Sequence, residues 1–355
     1  MSKIAVVTGG TSGIGKQTAL ALKSDGYTVY ELSRRPEGVE GLHHIPTDIT
    51  KEEMVNAAIS QVMEREGRID VLVNNAGFGI SGAIEFTPTS EAKRLFDANF
   101  FGMVNLNRAV IPIMRAQKSG RIVNLSSVAA PIPIPFQAYY SATKAAVNAY
   151  TMALANELRP FGVTVCAVQP GDIKTGFTAA REKVIEGDDV YQGRISRSVG
   201  RMEHDEQTGM DPAIAGRFIA NVAQKGKVKP LYTIGFSYQL FTFLVRILPG
   251  RLLNWMIGLL YAKEEKKKPP RACPGAEFIT LFFIYGRGMA GGHTVSARAM
   301  ACSSTVRGCA SASTACCSSV SFGLVKRRTS FRVERQAAAI ISAPPSRRSS
   351  WPMGG

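Results

Sequence analysis

At 355 residues the chain has room for one large domain or two of ordinary size. Its formal charge of +16 looks like a nucleic-acid signal until it is apportioned: residues 269–355 hold eleven basic and two acidic side chains, and the first 268 carry 32 against 25, with no basic arm and no interleaving of aromatic and basic residues. Five of the six cysteines also lie beyond residue 269, leaving Cys166 in the body, and neither a signal peptide nor an apolar run of about 20 residues is present, so nucleic acid, a disulfide scaffold and a membrane span are set aside and a reduced, cytoplasmic body is expected.

Residues 4–7, Ile-Ala-Val-Val, predict a first strand, and Thr8-Gly9-Gly10-Thr11-Ser12-Gly13-Ile14-Gly15 leads from it into a helical pattern through Leu22. Strand, glycine turn and helix in that order let backbone N–H groups approach a pyrophosphate at a helix N-terminus, where the dipole favours negative charge. Gly9, Thr11, Ser12, Gly13, Ile14 and Gly15 are therefore candidate dinucleotide contacts. A second strand over 28–32 ends at Ser33-Arg34-Arg35, eighteen to twenty residues after Gly15, where an NAD-binding unit carries an acid for the ribose hydroxyls. Here a small hydroxyl is followed by two guanidiniums, which pair with a 2′-phosphate, so Ser33 and Arg34 predict NADP(H) in preference to NAD(H); Glu31 is the competing acid, deeper in the strand.

Asp48 and Ile49 follow a third strand and are placed at the adenine edge. A helix over 51–66 feeds a fourth strand over 69–73, which ends in Asn74-Asn75-Ala76-Gly77; small residues there let a cofactor pass close, and asparagine amides tie neighbouring strands. The next helix contains Asn99 among Phe96, Phe100 and Phe101, a buried amide that has to be hydrogen-bonded.

The apolar run 122–125 reads as a buried strand running up to Ser127, and Pro131, Pro133 and Pro135 lead rigidly into a helix that carries Tyr140 and Lys144. Four residues are one helical turn, so the ammonium lies beneath the phenol. A free phenol titrates near ~10 and is a poor acid or base at neutral pH; the expectation is that Lys144 favours the phenolate while Ser127 holds a carbonyl or alcohol oxygen against Tyr140. Such a set moves a proton to or from a C–O oxygen. A sixth strand over 163–168 ends at Pro170-Gly171-Asp172-Ile173-Lys174-Thr175. Helices alternating with apolar strands predict an α/β fold, a doubly wound parallel sheet of about seven strands with ligands at the strand C-termini.

Residues 176–209 scatter apolar side chains among charges and are long enough for a mobile lid over the pocket. A helix over 211–224 and a last strand over 230–234 follow. Residues 236–261 are unusually apolar, which leaves three readings open: core or dimer interface, pocket wall, or a membrane-surface helix pair. The domain is expected to end at 268. Residues 269–355, Ser/Ala/Cys-rich and then Arg/Ser/Pro-rich, sustain no helical or strand period and are expected to be poorly ordered and not part of the enzyme.

T-G-x-x-x-G-x-G from Thr8, N-N-A-G from Asn74, then Asn99, Ser127, Tyr140 and Lys144, and P-G-x-x-x-T from Pro170 occur in order, and on these motifs residues 3–260 resemble a short-chain dehydrogenase/reductase, a family of single-domain Rossmann folds. The resemblance implies that Tyr140 is the general acid/base, that Lys144 lowers its pKa and holds the nicotinamide ribose, that Ser127 orients the substrate oxygen and that Asn99 sustains a water-linked proton relay. It also puts Asn75, Ala76, Gly77, Pro170 and Gly171 in the cofactor site, with Ile173 and Thr175 at the nicotinamide carboxamide. Ser127, Val128, Ile134, Pro135, Phe136 and Tyr140, together with Arg34, are similar to the 17β-hydroxysteroid and retinol dehydrogenase branch, and yeast-type acyl-dihydroxyacetone-phosphate reductases share the pattern. The implied activity is metal-free, NADP(H)-dependent interconversion of a ketone and a secondary alcohol on a lipophilic substrate, a hydroxysteroid first, with a long-chain acyl ketone or a retinoid as alternatives. A homo-oligomer, with peripheral membrane contact through 236–261, is the expected setting. A dinucleotide-sensing binding protein is the non-enzymatic alternative, disfavoured because a sensor has no need of an activated phenol.

Overall fold

A computed structural model describes residues 2–262, and residues 269–355 lie outside the described residues. In chain order the elements are β1 Lys3–Thr8, α1 Gly13–Ser24, β2 Tyr27–Ser33, β3 His43–Pro46, α2 Glu52–Glu66, β4 Val71–Asn74, β5 Ile80–Ser81, α3 Thr89–Phe96, α4 Gly102–Gln117, β6 Gly120–Leu125, α5 Ala138–Leu158, β7 Val163–Gln169, α6 Phe177–Ala180, β8 Glu182–Lys183, α7 Arg194–Gln207, α8 Pro212–Gln224, β9 Leu231–Thr233, α9 Phe236–Ile247 and α10 Gly250–Tyr261. Seven strands form one sheet in the order β3-β2-β1-β4-β6-β7-β9, every neighbouring pair parallel. This is the expected doubly wound α/β sheet, and the order reverses between β1 and β4, where such sheets open a crevice at their carboxyl ends.

The strands read as apolar runs because both sheet faces are covered. In β1, Ile4 and Val6 join one core with Val55, Ile59 and Val62 of α2, Leu106 and Met114 of α4 and Leu154 of α5. Ala5 and Val7 point the other way, against Leu22 of α1 and Ile219 and Val222 of α8. A strand expected over 69–73 begins at Val71, because the backbone of Ile69 is taken by the Gln117 side chain, which accepts from its N–H at 2.9 Å and donates to its carbonyl at 2.8 Å. The single helix expected around Asn99 is two helices joined by a π-turn, Asp97–Phe101.

Residues 176–209, expected as a lid, contain α6, β8 and α7, with β8 pairing to β5. Residues 236–261 form α9 and α10, which contribute only Ile257 to the buried set; Phe236 is 84% exposed and Trp255 61%. They therefore cover the fold without becoming its core. Among the described residues no helix is long and apolar enough to cross a membrane.

Candidate active site

The β1–α1 turn is shaped to receive something close to its backbone. Gly9 and Gly13 have φ of 65° and 54°, and a Cβ on Gly15 would stand 2.3 Å from both the Gly9 carbonyl and the Asn75 amide. The first turn of α1 carries no acid, so its N–H ends face outward without a competing anion. At the end of β2 the Ser33 hydroxyl is buried and has no partner among the described residues, Arg34 is exposed, and Arg35 reaches back to the Thr11 carbonyl at 3.4 Å. Glu31 is wholly buried beneath Gly10 and bonded to His44 Nδ1 at 2.5 Å, while His44 Nε2 lies 2.9 Å from the Arg35 carbonyl. The acid that competes for a ribose is thus held by a histidine through one oxygen, while its other oxygen is buried without a partner among the described residues. A glycine cradle, an unpartnered hydroxyl and an exposed guanidinium fit the phosphates and ribose of a dinucleotide.

The other cofactor candidates divide into lining and scaffold. Asn75 donates its side-chain amide to the carbonyls of Thr8 and Gly9 at 3.0 and 3.3 Å, and the N–H groups of Asn75 and Ala76 both donate to Thr8 Oγ1 at 3.0 Å, so these residues weld β4 to the glycine turn. Asn74 ties β4 to Asn124 of β6 and to Asn107 of α4, as asparagines there were expected to do. Asp48 accepts from the Thr50 N–H and hydroxyl; burial works against its charge, but these bonds and the Arg34 guanidinium hold its carboxyl below the ordinary value. Ile49 is packed in the core against Gly102, and Ile173 is buried beside Met210. Pro170 accepts from the Val128 N–H at 3.0 Å, Gly171 lies under the Tyr238 ring, and Thr175 folds over Gly13, 3.5 Å from where a Cβ would sit.

Beside this cradle lies the second cluster. Lys144 is buried and its ammonium donates to the Leu125 carbonyl, at the end of β6, at 2.9 Å, with Nζ 5.6 Å from the centroid of the Tyr140 ring. The Ser127 hydroxyl accepts from the Ala129 N–H at 3.1 Å and lies near enough to the Tyr140 phenol to draw its pKa down. Asn99, in the π-turn, accepts from the Phe78 N–H at 3.0 Å and donates to the Phe78 carbonyl at 2.9 Å and to Thr143 Oγ1 at 3.3 Å. A Cβ on Gly77 would stand 2.8 Å from Asn99 Oδ1 and 3.8 Å from Lys144 Nζ, so β4, the π-turn and α5 converge on one small volume. Just before α5, Phe136 has φ of 61°, a strained conformation for a bulky residue and one that no residue pattern announced.

Burial dominates the electrostatics here. It pushes the Tyr140 phenol up to about 12, against the downward pull of the Ser127 hydrogen bond and the Arg181 charge. It lowers the Lys144 ammonium to about 8. Burial thus works against the lowering of the phenol expected from the spacing of Lys144, whose ammonium is engaged with the Leu125 carbonyl. A phenol held protonated beside a serine hydroxyl can donate a proton to a C–O oxygen lodged between them.

A family model described as short chain dehydrogenase matches residues 3–185. The chain belongs to the short-chain dehydrogenase family. It is 38% identical over 269 residues to the 3-ketodihydrosphingosine reductase of Bacteroides thetaiotaomicron, covering 73% of this chain and 98% of that one. Among solved structures it is similar to a short-chain dehydrogenase from Streptomyces avermitilis, with a TM-score of 0.64 and 32% identity over 72% of this chain and 96% of the other. It is also similar to ElxO with NADP bound, with a TM-score of 0.57 and 28% identity over 68% and 100%.

As a short-chain dehydrogenase the chain is an oxidoreductase whose fold takes a nicotinamide dinucleotide. Around the four residues singled out from the motifs, the short-chain dehydrogenase fold gathers others that carry no motif signal. Phe177 sets its ring 5.8 Å from that of Tyr140, Arg181 stacks its guanidinium 5.7 Å over Phe177, and Glu206 of α7 pairs with Arg181. Tyr238 of α9 donates to the Asp172 carboxylate at 2.5 Å and accepts from the Asp172 N–H at 3.2 Å. Only the mixture of apolar and charged residues over 176–209, read as a lid, hinted at the first three.

Proposed function

We propose that this short-chain dehydrogenase is an NADP(H)-dependent reductase of a lipophilic, long-chain ketone. Tyr140 gives its proton to the carbonyl oxygen, Ser127 holds that oxygen by its hydroxyl, Lys144 restores the proton from below, and Asn99 fixes the π-turn against Phe78 so that water can connect Lys144 to solvent. A nicotinamide held in the glycine cradle would supply the hydride that the carbonyl carbon takes up. Gly9, Thr11, Ser12, Gly13, Ile14 and Gly15 hold its phosphates, and Arg34 and Ser33 hold the 2′-phosphate of the adenosine ribose.

The observation that carries this reading is the convergence on one small volume of Ser127, Tyr140 and the buried Lys144 ammonium, whose Nζ lies 5.6 Å from the Tyr140 ring and 3.8 Å from where a Cβ on Gly77 would sit. The long-chain ketone is placed ahead of the hydroxysteroid because a relative that covers nearly its whole length on this chain is named for reducing a 3-keto lipid base. NADP(H) is preferred on the exposed Arg34 and the commitment of Glu31 to His44. The apolar outer faces of α9 and α10 we assign to contact with a lipid surface, in keeping with a substrate of that solubility.

The test is the oxidation of NADPH, followed by absorbance, with long-chain ketones, steroids, retinoids and small aldehydes. Tyr140→Phe should lower kcat by about 10²- to 10⁴-fold while leaving coenzyme affinity unchanged. Turnover within a few-fold of the unaltered chain would remove Tyr140 from the role, and no oxidation with any ketone would favour the sensing protein instead.

A further inference from the structure

The chemistry just assigned leaves Arg181 unused. It follows α6, its side chain is wholly buried, and its one ion-pair partner among the described residues is the Glu206 carboxylate. Glu206 is also engaged by the Thr178 hydroxyl at 2.6 Å. Of the five N–H bonds of the guanidinium, those on Nε and Nη1 have no partner among the described residues. Pinning α6 to α7 accounts for the ion pair but not for these donors, because each one buried and unmatched carries its own desolvation cost.

Their position indicates what they are for. The guanidinium lies over Phe177, whose ring neighbours Tyr140, and its charge opposes without overcoming the upward push of burial on the phenol, to which the Glu206 charge adds. Gly79 closes in from the loop after β4, where a Cβ would stand 3.5 Å from Arg181 Nε and 3.1 Å from Phe177. A fixed, permanently charged fork with two unmatched N–H arms thus lies one aromatic ring away from the proton donor. Its charge is already balanced by Glu206, so a neutral acceptor fits there, whereas a further anion would leave uncompensated negative charge in a desolvated place.

We propose that Arg181 determines specificity by donating from Nε and Nη1 to a neutral oxygen, a hydroxyl or carbonyl, carried by the substrate close to the reacting ketone. The assignment rests on the reading of Tyr140 as the group that faces that ketone. It makes the substrate an oxygen-bearing ketone with a hydrocarbon remainder, not a plain aliphatic one.

The test compares two long-chain ketones differing only in a hydroxymethyl or an ethyl group next to the carbonyl. They are titrated calorimetrically onto the full chain saturated with oxidised coenzyme, where the ketone cannot be reduced. The hydroxymethyl ketone should bind about 10- to 100-fold more tightly. Arg181→Lys keeps a cation opposite Glu206 but loses the fork, and should bring the ratio below about threefold with coenzyme affinity unchanged. If Arg181→Lys does not fold, the paired replacement Arg181→Met with Glu206→Met removes the ion pair as a unit and serves for the same ratio. No preference in the unaltered chain, or a ratio that survives both replacements, overturns the proposal. So does a phosphate-bearing ketone that binds more tightly still and depends equally on Arg181, which would make this an anion site. A ratio lost with Arg181 in a chain that reduces neither ketone would retire the reductase and keep the binding role; brisk reduction with a flat ratio would do the reverse.

Discussion

Lys144 should weaken the fold at neutral pH, and replacing it with methionine should strengthen it while ending turnover. The side chain is 5% exposed, its hydrogen-bond acceptor among the described residues is one backbone carbonyl, and burial takes its pKa from 10.5 to about 8. At ~1.4 kcal/mol per unit, that displacement corresponds to about 3 kcal/mol. The sign follows from proton uptake: between pH 8 and 10.5 the unfolded chain holds a proton the folded chain has released, so stability rises with pH across that window, and the full penalty applies below it. Methionine removes the penalty but strands the Leu125 carbonyl, which costs about 1 kcal/mol, leaving a net gain of about 2 kcal/mol at pH 7.

Urea unfolding of the ligand-free chain at pH 7 and pH 10, with and without Lys144→Met, measures this directly. The advantage of the variant should shrink by about 2 kcal/mol between the two pH values. Subtraction matters, because burial also raises the Cys166 thiol to about 12, and that contribution is lost as pH climbs from 9 toward 12 in both chains alike. Parallel pH profiles, or a variant less stable at pH 7, would show that the ammonium is not desolvated as its surroundings indicate.

Arg34→Asp should reverse the coenzyme ratio in favour of NADH, and an unchanged ratio in steady-state assays would clear Arg34 of contact with a 2′-phosphate. Tyr238→Phe should cost about 1–3 kcal/mol in urea unfolding, because it leaves the Asp172 N–H and buried carboxyl unmatched; the carboxyl, already raised by burial, should rise further without the hydrogen bond that pulls it down. If α9 and α10 meet lipid, the chain should sediment with neutral phospholipid vesicles and Phe236→Ser with Trp255→Ser should release it; sedimentation unchanged by both would move the apolar face to a protein contact. A chain ending at Lys268 should fold and reduce ketones as the whole chain does, with loss of either refuting the assignment of 269–355 to something other than the enzyme.

What could be read from the chain was local. The apolar run Ile4-Ala5-Val6-Val7, the glycine turn after it and the one-turn spacing of Tyr140 and Lys144 each fit within a few residues, and the sheet they imply is the one observed. What could not be read depends on contacts far apart in sequence. Glu31 is tied through one oxygen to His44, 13 residues on, and Tyr238 finds Asp172 across 66 residues. The strand expected from Ile69 was pre-empted by a glutamine 48 residues away.

The phenol is the sharpest case, because spacing and burial oppose each other there. Helical spacing fixes that an ammonium lies one turn from Tyr140, and Coulomb attraction alone would draw the phenol down. Desolvation is set by every neighbour that excludes water, Phe177 and Gly77 included, and no pattern in the sequence adds them up. Burial wins, at about 12 for the phenol and about 8 for the lysine. A tyrosine so placed keeps its proton until an oxygen able to take it arrives. The lysine, within reach of neutral pH, is the group suited to replacing that proton once it has gone. On the proposed reading, the same burial that costs the fold stability at Lys144 favours a pair that gives a proton to the substrate oxygen.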